Sequence, residues 1–133
     1  MLKDLLTRFL RQQTVPERGK LGKTGEEKAC AYLKQHNYAI LEKNWKSHPY
    51  EIDIICRDKT NNELVFVEVK TRHHADPERS LESFTPKKQR SIIKGAQHYL
   101  TQKECWDTPC RFDLICINGE SLNVEHYSNV ITR

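Results

Sequence analysis

Leu2, Leu5, Leu6, Phe9 and Leu10 recur at helical spacing and predict a short amphipathic helix at the start of the chain. The polar stretch 11–22, with Pro16 and Gly19, reads as a linker. Ala29, Cys30 and Leu33 then form one apolar stripe of a second helix. Thr24 is its expected N-cap, Glu26 and Glu27 fall in a first turn where the helix dipole favours acids, and Asn37 suits the left-handed conformation of a helix end. Beyond this point the hydrophobic period shortens to two. Residues 39–41 are extended and lead into a loop with Asn44 and Trp45; residues 51–57 and 64–72 are strands joined by a hairpin over 58–63. Both of these strands carry apolar residues on both faces, which predicts central strands covered on both sides.

A polar loop is expected over 73–85, followed by a helix over 86–102. Pro86 fits its first turn, and Ile92, Ile93, Ala96, Tyr99 and Leu100 form its buried stripe. Residues 111–117 and 122–127 give two more strands around a tight turn at Asn118–Gly119. The order of helix, three strands, helix and two strands predicts a mixed β-sheet flanked by helices, in the α/β class. The division is an N-terminal helix and linker at 1–20 and a main domain at 21–133.

The 133 residues fit one core. With 37% apolar and 30% charged residues, the composition is that of a globular chain, and no run nears the ~20 apolar residues of a bilayer span, so no membrane insertion is expected. Asp4 and Arg8 interrupt any signal-peptide core. The five cysteines include no CxxC pair, Cys105 and Cys110 match no usual zinc spacing, and Cys30, Cys56 and Cys116 sit in apolar patterns as small core residues. A reducing cytoplasm is the expected location. The net charge of +4 is mild, but Lys70, Arg72, Arg79, Lys87, Lys88, Arg90 and Lys94 are opposed locally by only Asp76, Glu78 and Glu82. Such a local excess suits a phosphate backbone.

The candidate chemistry lies in the second and third strands. Alternation places Leu64, Phe66, Glu68 and Lys70 on one face of the third strand, so an acid and a lysine end an otherwise apolar row. In the second strand Glu51, Asp53 and Ile55 are expected on one face, with Ile52, Ile54 and Cys56 opposite. Hairpin pairing can then bring Asp53 beside Glu68. Two carboxylates at close range repel unless a cation lies between them, and Mg2+ or Mn2+, taking oxygen ligands and retaining waters, is the expected occupant. The Lys70 ammonium is placed to orient an attacking water or to stabilise charge on a phosphate. Glu26 shares a stripe with Ala29, Cys30 and Leu33, where an acid is out of place unless it serves a site; Glu27 should be more exposed.

Gly25-Glu26, Tyr32-Leu33, Ile40-Leu41, Asn44-Trp45, Glu51-Ile52-Asp53-Ile54-Ile55, Val65-Phe66-Val67-Glu68-Val69-Lys70 and Arg111-Phe112-Asp113 resemble, in order, the motifs of the bacterial YraN family of predicted nucleases. The resemblance covers about residues 20–131. It implies a restriction-endonuclease-like fold of the PD-(D/E)XK superfamily, related to archaeal Holliday-junction resolvases. It also implies a metal-dependent phosphodiesterase site with Asp53 as the motif aspartate, Glu68 as the following acid, Lys70 as the lysine and Glu26 as the helix glutamate. One departure is Pro49-Tyr50, where the family usually has glycine before the Glu-Ile-Asp segment.

The expected function is metal-dependent hydrolysis of nucleic acid, DNA rather than RNA and structured or branched, with catalytic Glu26, Asp53, Glu68 and Lys70 and metal ligands Asp53 and Glu68. Arg72, Lys87, Lys88 and Arg90 are expected to bind the nucleic acid. Trp45 and Tyr50 are candidates for base stacking, with core packing the plainer role for Trp45. His73 and His74 are candidates for proton transfer, and Glu51 for an extra ligand. A junction substrate needs two cuts and so predicts a symmetric homodimer. The competing expectations are a nucleic-acid-binding module without cleavage and an adaptor using the N-terminal helix.

Overall fold

The structure, a computed structural model, describes residues 18–72 and 81–131, with helix side chains from residue 24 onward. The expected amphipathic helix over 2–10, His73 and His74 lie outside these residues. Helix α1 spans Arg18–Gln35, and strands β1 (Tyr38–Ser47), β2 (Tyr50–Asp58) and β3 (Leu64–Arg72) follow. Helix α2 (Pro86–Gln102), β4 (Cys110–Asn118) and β5 (Val124–Tyr127) complete the order. The sheet runs β1-β2-β3-β4-β5. Every pairing is antiparallel except β3–β4, which α2 joins as a parallel crossover. Among the described residues, no helix is long and apolar enough to cross a membrane.

Both faces of the sheet are covered, as the apolar strands require. On one side Ala29, Cys30 and Leu33 of α1 pack on Ile54, Cys56, Val65, Val67, Ile115 and Ile117. On the other, Ile92, Ala96 and Tyr99 of α2 pack on Ile52, Ile55, Phe66, Phe112 and Leu114. Thr85 caps α2 by accepting the Lys88 N–H at 3.3 Å, and Pro86 fills the first helical position, where no N–H is needed. In the hairpin between β2 and β3, Asp58 holds Thr60 N–H at 2.9 Å and the Thr60 hydroxyl at 2.7 Å. Asn62 there takes a φ of 64°.

Four sequence expectations need correction. The stretch read as linker is helical from Arg18, so Thr24 is not a cap, and Glu26 and Glu27 lie two turns inside α1 rather than in its first turn. Glycine in a helix costs about 1 kcal/mol relative to alanine and reads as a breaker. Gly25, however, is held by contact: a Cβ there would clash with the Thr71 hydroxyl of β3. Second, β1 continues through Asn44 and Trp45 instead of looping. A bulge between Ile40 and Glu42 and a φ of 49° at Asn44 absorb the irregularity. Third, the end of the polar loop is anchored, because Phe84 is buried in the α2-side core. Fourth, the β4–β5 turn is longer than a two-residue turn. Asn118 accepts Glu120 N–H at 2.9 Å and Ser121 N–H at 3.2 Å. Leu122 takes a φ of 60° and plugs the α1-side core, and β5 starts only at Val124.

Candidate active site

The β2–β3 pairing runs from Arg57 opposite Leu64 to Ile54 opposite Val67. Past that pair the Asp53 side chain takes over a backbone role: its Oδ2 accepts the Val69 N–H at 2.8 Å. The alternation of faces slips at this point. Ile52 and Ile55 belong to the α2-side core, whereas Ile54 and Cys56 belong to the α1-side core. The expected common face of Glu51, Asp53 and Ile55 is therefore wrong. Glu51 is exposed and pairs with Lys46 at 3.7 Å, so it is not part of the site.

On β3 the expected alternation holds. Leu64 and Phe66 enter the α2-side core, and Glu68 and Lys70 continue that row where the core gives out. Lys70 Nζ lies 3.7 Å from Glu68 Oε1, and both side chains are 23% exposed. Glu26, half-buried on α1, reaches the same place from the other side. With Glu27, Cys30, Lys43, Asn44, Asp53 and Ile54 it lines a cavity of about 190 Å³. Glu27 is the more exposed of the two acids, as expected.

The electrostatics follow from this crowding. Burial pushes the Asp53 carboxyl up to about 7, and the Glu68 charge adds to the push more strongly than Glu26 does. The Val69 N–H and Lys70 oppose it. Glu68 is likewise raised by burial, with Glu26 adding and Lys70 and Lys88 opposing. Acids that penalise one another's charge are stable as a group only with a proton or a cation among them. Among the described residues, no group of three or more His, Cys, Asp or Glu side chains forms a ready metal cage. The donors on offer are the Asp53 and Glu68 carboxylates, hard oxygen ligands of the number Mg2+ commonly takes from protein while retaining water.

The four expected basic residues separate. Lys88, in the first turn of α2, is exposed, and its ammonium is lowered by Lys70 and by partial burial, with Glu68 opposing. Lys87 and Arg90 are exposed and point elsewhere, about 100° and 200° round the helix from Lys88. Trp45 and Tyr50 both pack on α2: Trp45 stands edge-on to Tyr99 at 5.4 Å, and Tyr50 edge-on to His98 at 5.0 Å. Both contacts are packing roles, and Tyr50 rests on Gly95 of α2.

Sequence reasoning passed over a second polar cluster. Asp113 is wholly buried. Its carboxylate accepts Arg111 Nε at 3.1 Å and Asn129 N–H at 2.9 Å, and bonds His126 Nε2 at 2.8 Å. Arg111 also donates to Asp58 at 2.9 Å and to the Tyr38 hydroxyl at 2.8 Å. The Tyr32 hydroxyl bonds His126 Nδ1 at 3.1 Å. The available signal was the Arg-x-Asp spacing, which sets both charges on one face of a strand whose other residues are apolar. Arg111 pairs with Val65, whereas Lys70 pairs with Cys116. Asp113, however, pairs with Val67, one residue before Glu68, so the cluster adjoins the candidate site along β3 and is divided from Glu68 and Lys70 by lying on the opposite face of the sheet.

A mixed five-stranded sheet with a helix on each face, carrying acids and a lysine where β2 and β3 part, defines an α/β protein consistent with the restriction-endonuclease-like fold. The chain belongs to UPF0102, an uncharacterised protein family whose sequence model matches residues 25–117. This is the family towards which the YraN resemblance pointed. A UPF0102 protein of Lawsonia intracellularis is 43% identical over 113 residues, covering 83% of each chain. One of Geobacter metallireducens is 42% identical over 114 residues, or 82% of this chain and 89% of its own. A third, of Oleidesulfovibrio alaskensis, is 43% identical over 100 residues; these make up 75% of this chain and 48% of that longer protein.

Proposed function

We propose that the chain is a nuclease of the PD-(D/E)XK type, hydrolysing phosphodiester bonds in structured or branched DNA with Mg2+ or Mn2+. The observation that carries this is the forced approach of Asp53 and Glu68, with Lys70 at 3.7 Å from Glu68. Asp53 and Glu68 would hold the ion, with Glu26 close enough to add to the negative field. The bound ion would supply Lewis acidity and lower the pKa of water. Asp53 is kept in place by the Val69 N–H. Lys70, half-buried beside Glu68, orients the attacking water and offsets charge developing on the phosphate. A pair of cuts across a junction would call for two copies of the chain.

One observation favours the second reading, a nucleic-acid-binding module without cleavage: no three-ligand group is preformed among the described residues. Single-turnover cleavage separates the two. Labelled branched, flapped, single-stranded and duplex substrates are incubated at saturating protein with Mg2+, Mn2+ or chelator. Metal-dependent cutting of at least one substrate is expected. Lys70→Ala should slow it roughly a hundredfold to a thousandfold, a loss of about 2.7–4 kcal/mol, with substrate binding largely spared. A lysine merely paired at the surface would contribute only ~0–1 kcal/mol. Full-rate cleavage by Lys70→Ala would refute the role given to Lys70. No cleavage of any substrate by the wild type would leave the binding module.

A further inference from the structure

Strand β1 departs from regular alternation beside Asp53. Lys43 pairs with Ile54 and Trp45 with Ile52, so Asn44 stands opposite Asp53 in the register. Residues opposite one another on one face of a sheet have Cβ atoms roughly 5 Å apart. Trp45 turns to Tyr99 on the α2 side, whereas Lys43 and Asn44 both line the cavity with Glu26, Glu27 and Asp53. Neighbours in a regular strand point to opposite faces, and the φ of 49° at Asn44 lets two in succession share one. That left-handed conformation is costly for most side chains and mild for asparagine. Glycine would serve the backbone equally well, but it would bring no amide into the cavity. The chemistry of the lining gives the amide a use. Three acids face one lysine there, and Asp53 has one oxygen committed to the Val69 N–H. A further carboxylate would add to the repulsion, whereas a carboxamide oxygen ligates a hard cation and adds no charge.

Building on the metal site proposed above for Asp53 and Glu68, and resting on it, we propose that Asn44 is a further ligand of the same ion, supplying a neutral oxygen from β1. Three adjacent strands then each contribute one donor: Asn44 from β1, Asp53 from β2 and Glu68 from β3. Two of the donors are charged and one is not, so the third oxygen is gained without another acid. With the carboxamide oxygen on the ion, its Nδ2 hydrogens are left for the acids that share the cavity, Glu26 and Glu27. The left-handed backbone at Asn44 is the local cost of bringing this oxygen to the Asp53 side of the strand.

The test is Mn2+ binding to the full chain without nucleic acid, read from the electron paramagnetic resonance of the free ion. Asn44→Gly keeps the left-handed backbone and removes the amide. It should weaken Mn2+ binding roughly tenfold, while its thermal midpoint in chelator moves by no more than about 5 °C. Asn44→Asp puts an oxygen back at the same place and should bind Mn2+ at least as tightly as the wild type. In a Mg2+ titration of 15N-labelled protein, the Asn44 side-chain amide and the Val69 N–H should shift with one midpoint, while the side-chain amides of Asn61 and Asn123 stay put. Wild-type affinity in Asn44→Gly would show that the asparagine serves only the backbone; the ligand role would fall and the metal site at Asp53 and Glu68 would stand. A loss in Asn44→Gly that Asn44→Asp does not recover would overturn the ligand role as well. If Mn2+ binds as expected but the wild type cuts no nucleic acid, the ligand role holds and the nuclease assignment falls. If the wild type takes up no Mn2+, the ligand role is wrong whatever the cleavage assay shows.

Discussion

Arg111→Ala should destabilise the fold by about 3–5 kcal/mol, the usual cost of removing one partner from a buried ionic group. The Arg111 side chain is 11% exposed, and its removal strips a charge partner from wholly buried Asp113 and another from Asp58. Burial by itself would raise both acids. The Asp113 carboxyl is nevertheless held below its ordinary value by His126, the Asn129 N–H and Arg111, and Asp58 by Thr60 and Arg111. Carboxyls depressed in the fold contribute stability above the unfolded value of ~3.9, and that contribution is lost as pH falls through their folded values. Urea unfolding at pH 7 and at successive acid pH values should therefore show a large gap between wild type and variant that narrows towards pH 2. A gap under 1 kcal/mol at pH 7 would show that water replaces the guanidinium.

The second large effect has the opposite sign. Asp53→Asn should stabilise the metal-free protein at pH 8. The Asp53 carboxyl sits at about 7 in the fold against 3.8 for the free group. Between those values the folded chain binds the extra proton, so the contribution of Asp53 to stability is greatest below pH 4 and falls as pH rises, levelling out above 7. The span corresponds to on the order of 4 kcal/mol. Asparagine cannot ionise, and its carbonyl oxygen can still accept the Val69 N–H. Thermal unfolding of wild type and Asp53→Asn in chelator should agree near pH 4 and diverge steadily to pH 8. Mg2+ should raise the wild type at pH 8 and leave the variant unchanged. A wild type whose stability does not fall between pH 5 and 8 would remove the basis of this prediction.

What the sequence made legible, and what it hid, differ for physical reasons. Strand β3 and helix α2 were read with their observed ends, because each couples a clean hydrophobic period to a marked boundary: a run of β-branched residues in one, Pro86 after Thr85 in the other. The pairing of Glu68 with Lys70 followed from strand alternation alone. The β2 faces were misread because a phase slip leaves no trace in a run as uniform as Ile52-Asp53-Ile54-Ile55. The start of α1 was missed because Gly25 is kept by a contact with Thr71, which lies far along the chain. Lys87, Lys88 and Arg90 read alike in the sequence, as basic residues expected to bind the nucleic acid. The distinction of Lys88 from the other two depends on the angle at which α2 meets β3, which is a tertiary fact. The Arg111 cluster draws on Tyr32, Tyr38, Asp58, Asp113, His126 and Asn129, six positions that no local pattern connects.

The bond from Val69 N–H to Asp53 makes the candidate metal ligand a structural member of the sheet as well. A carboxylate has two oxygens. While one is engaged by the strand, the other remains for chemistry, and any rotation that commits both to an ion unlocks the amide. Occupancy of the site is thereby translated into the exchange rate of a single backbone hydrogen, a reporter already built into the strand that also carries Glu68 and Lys70.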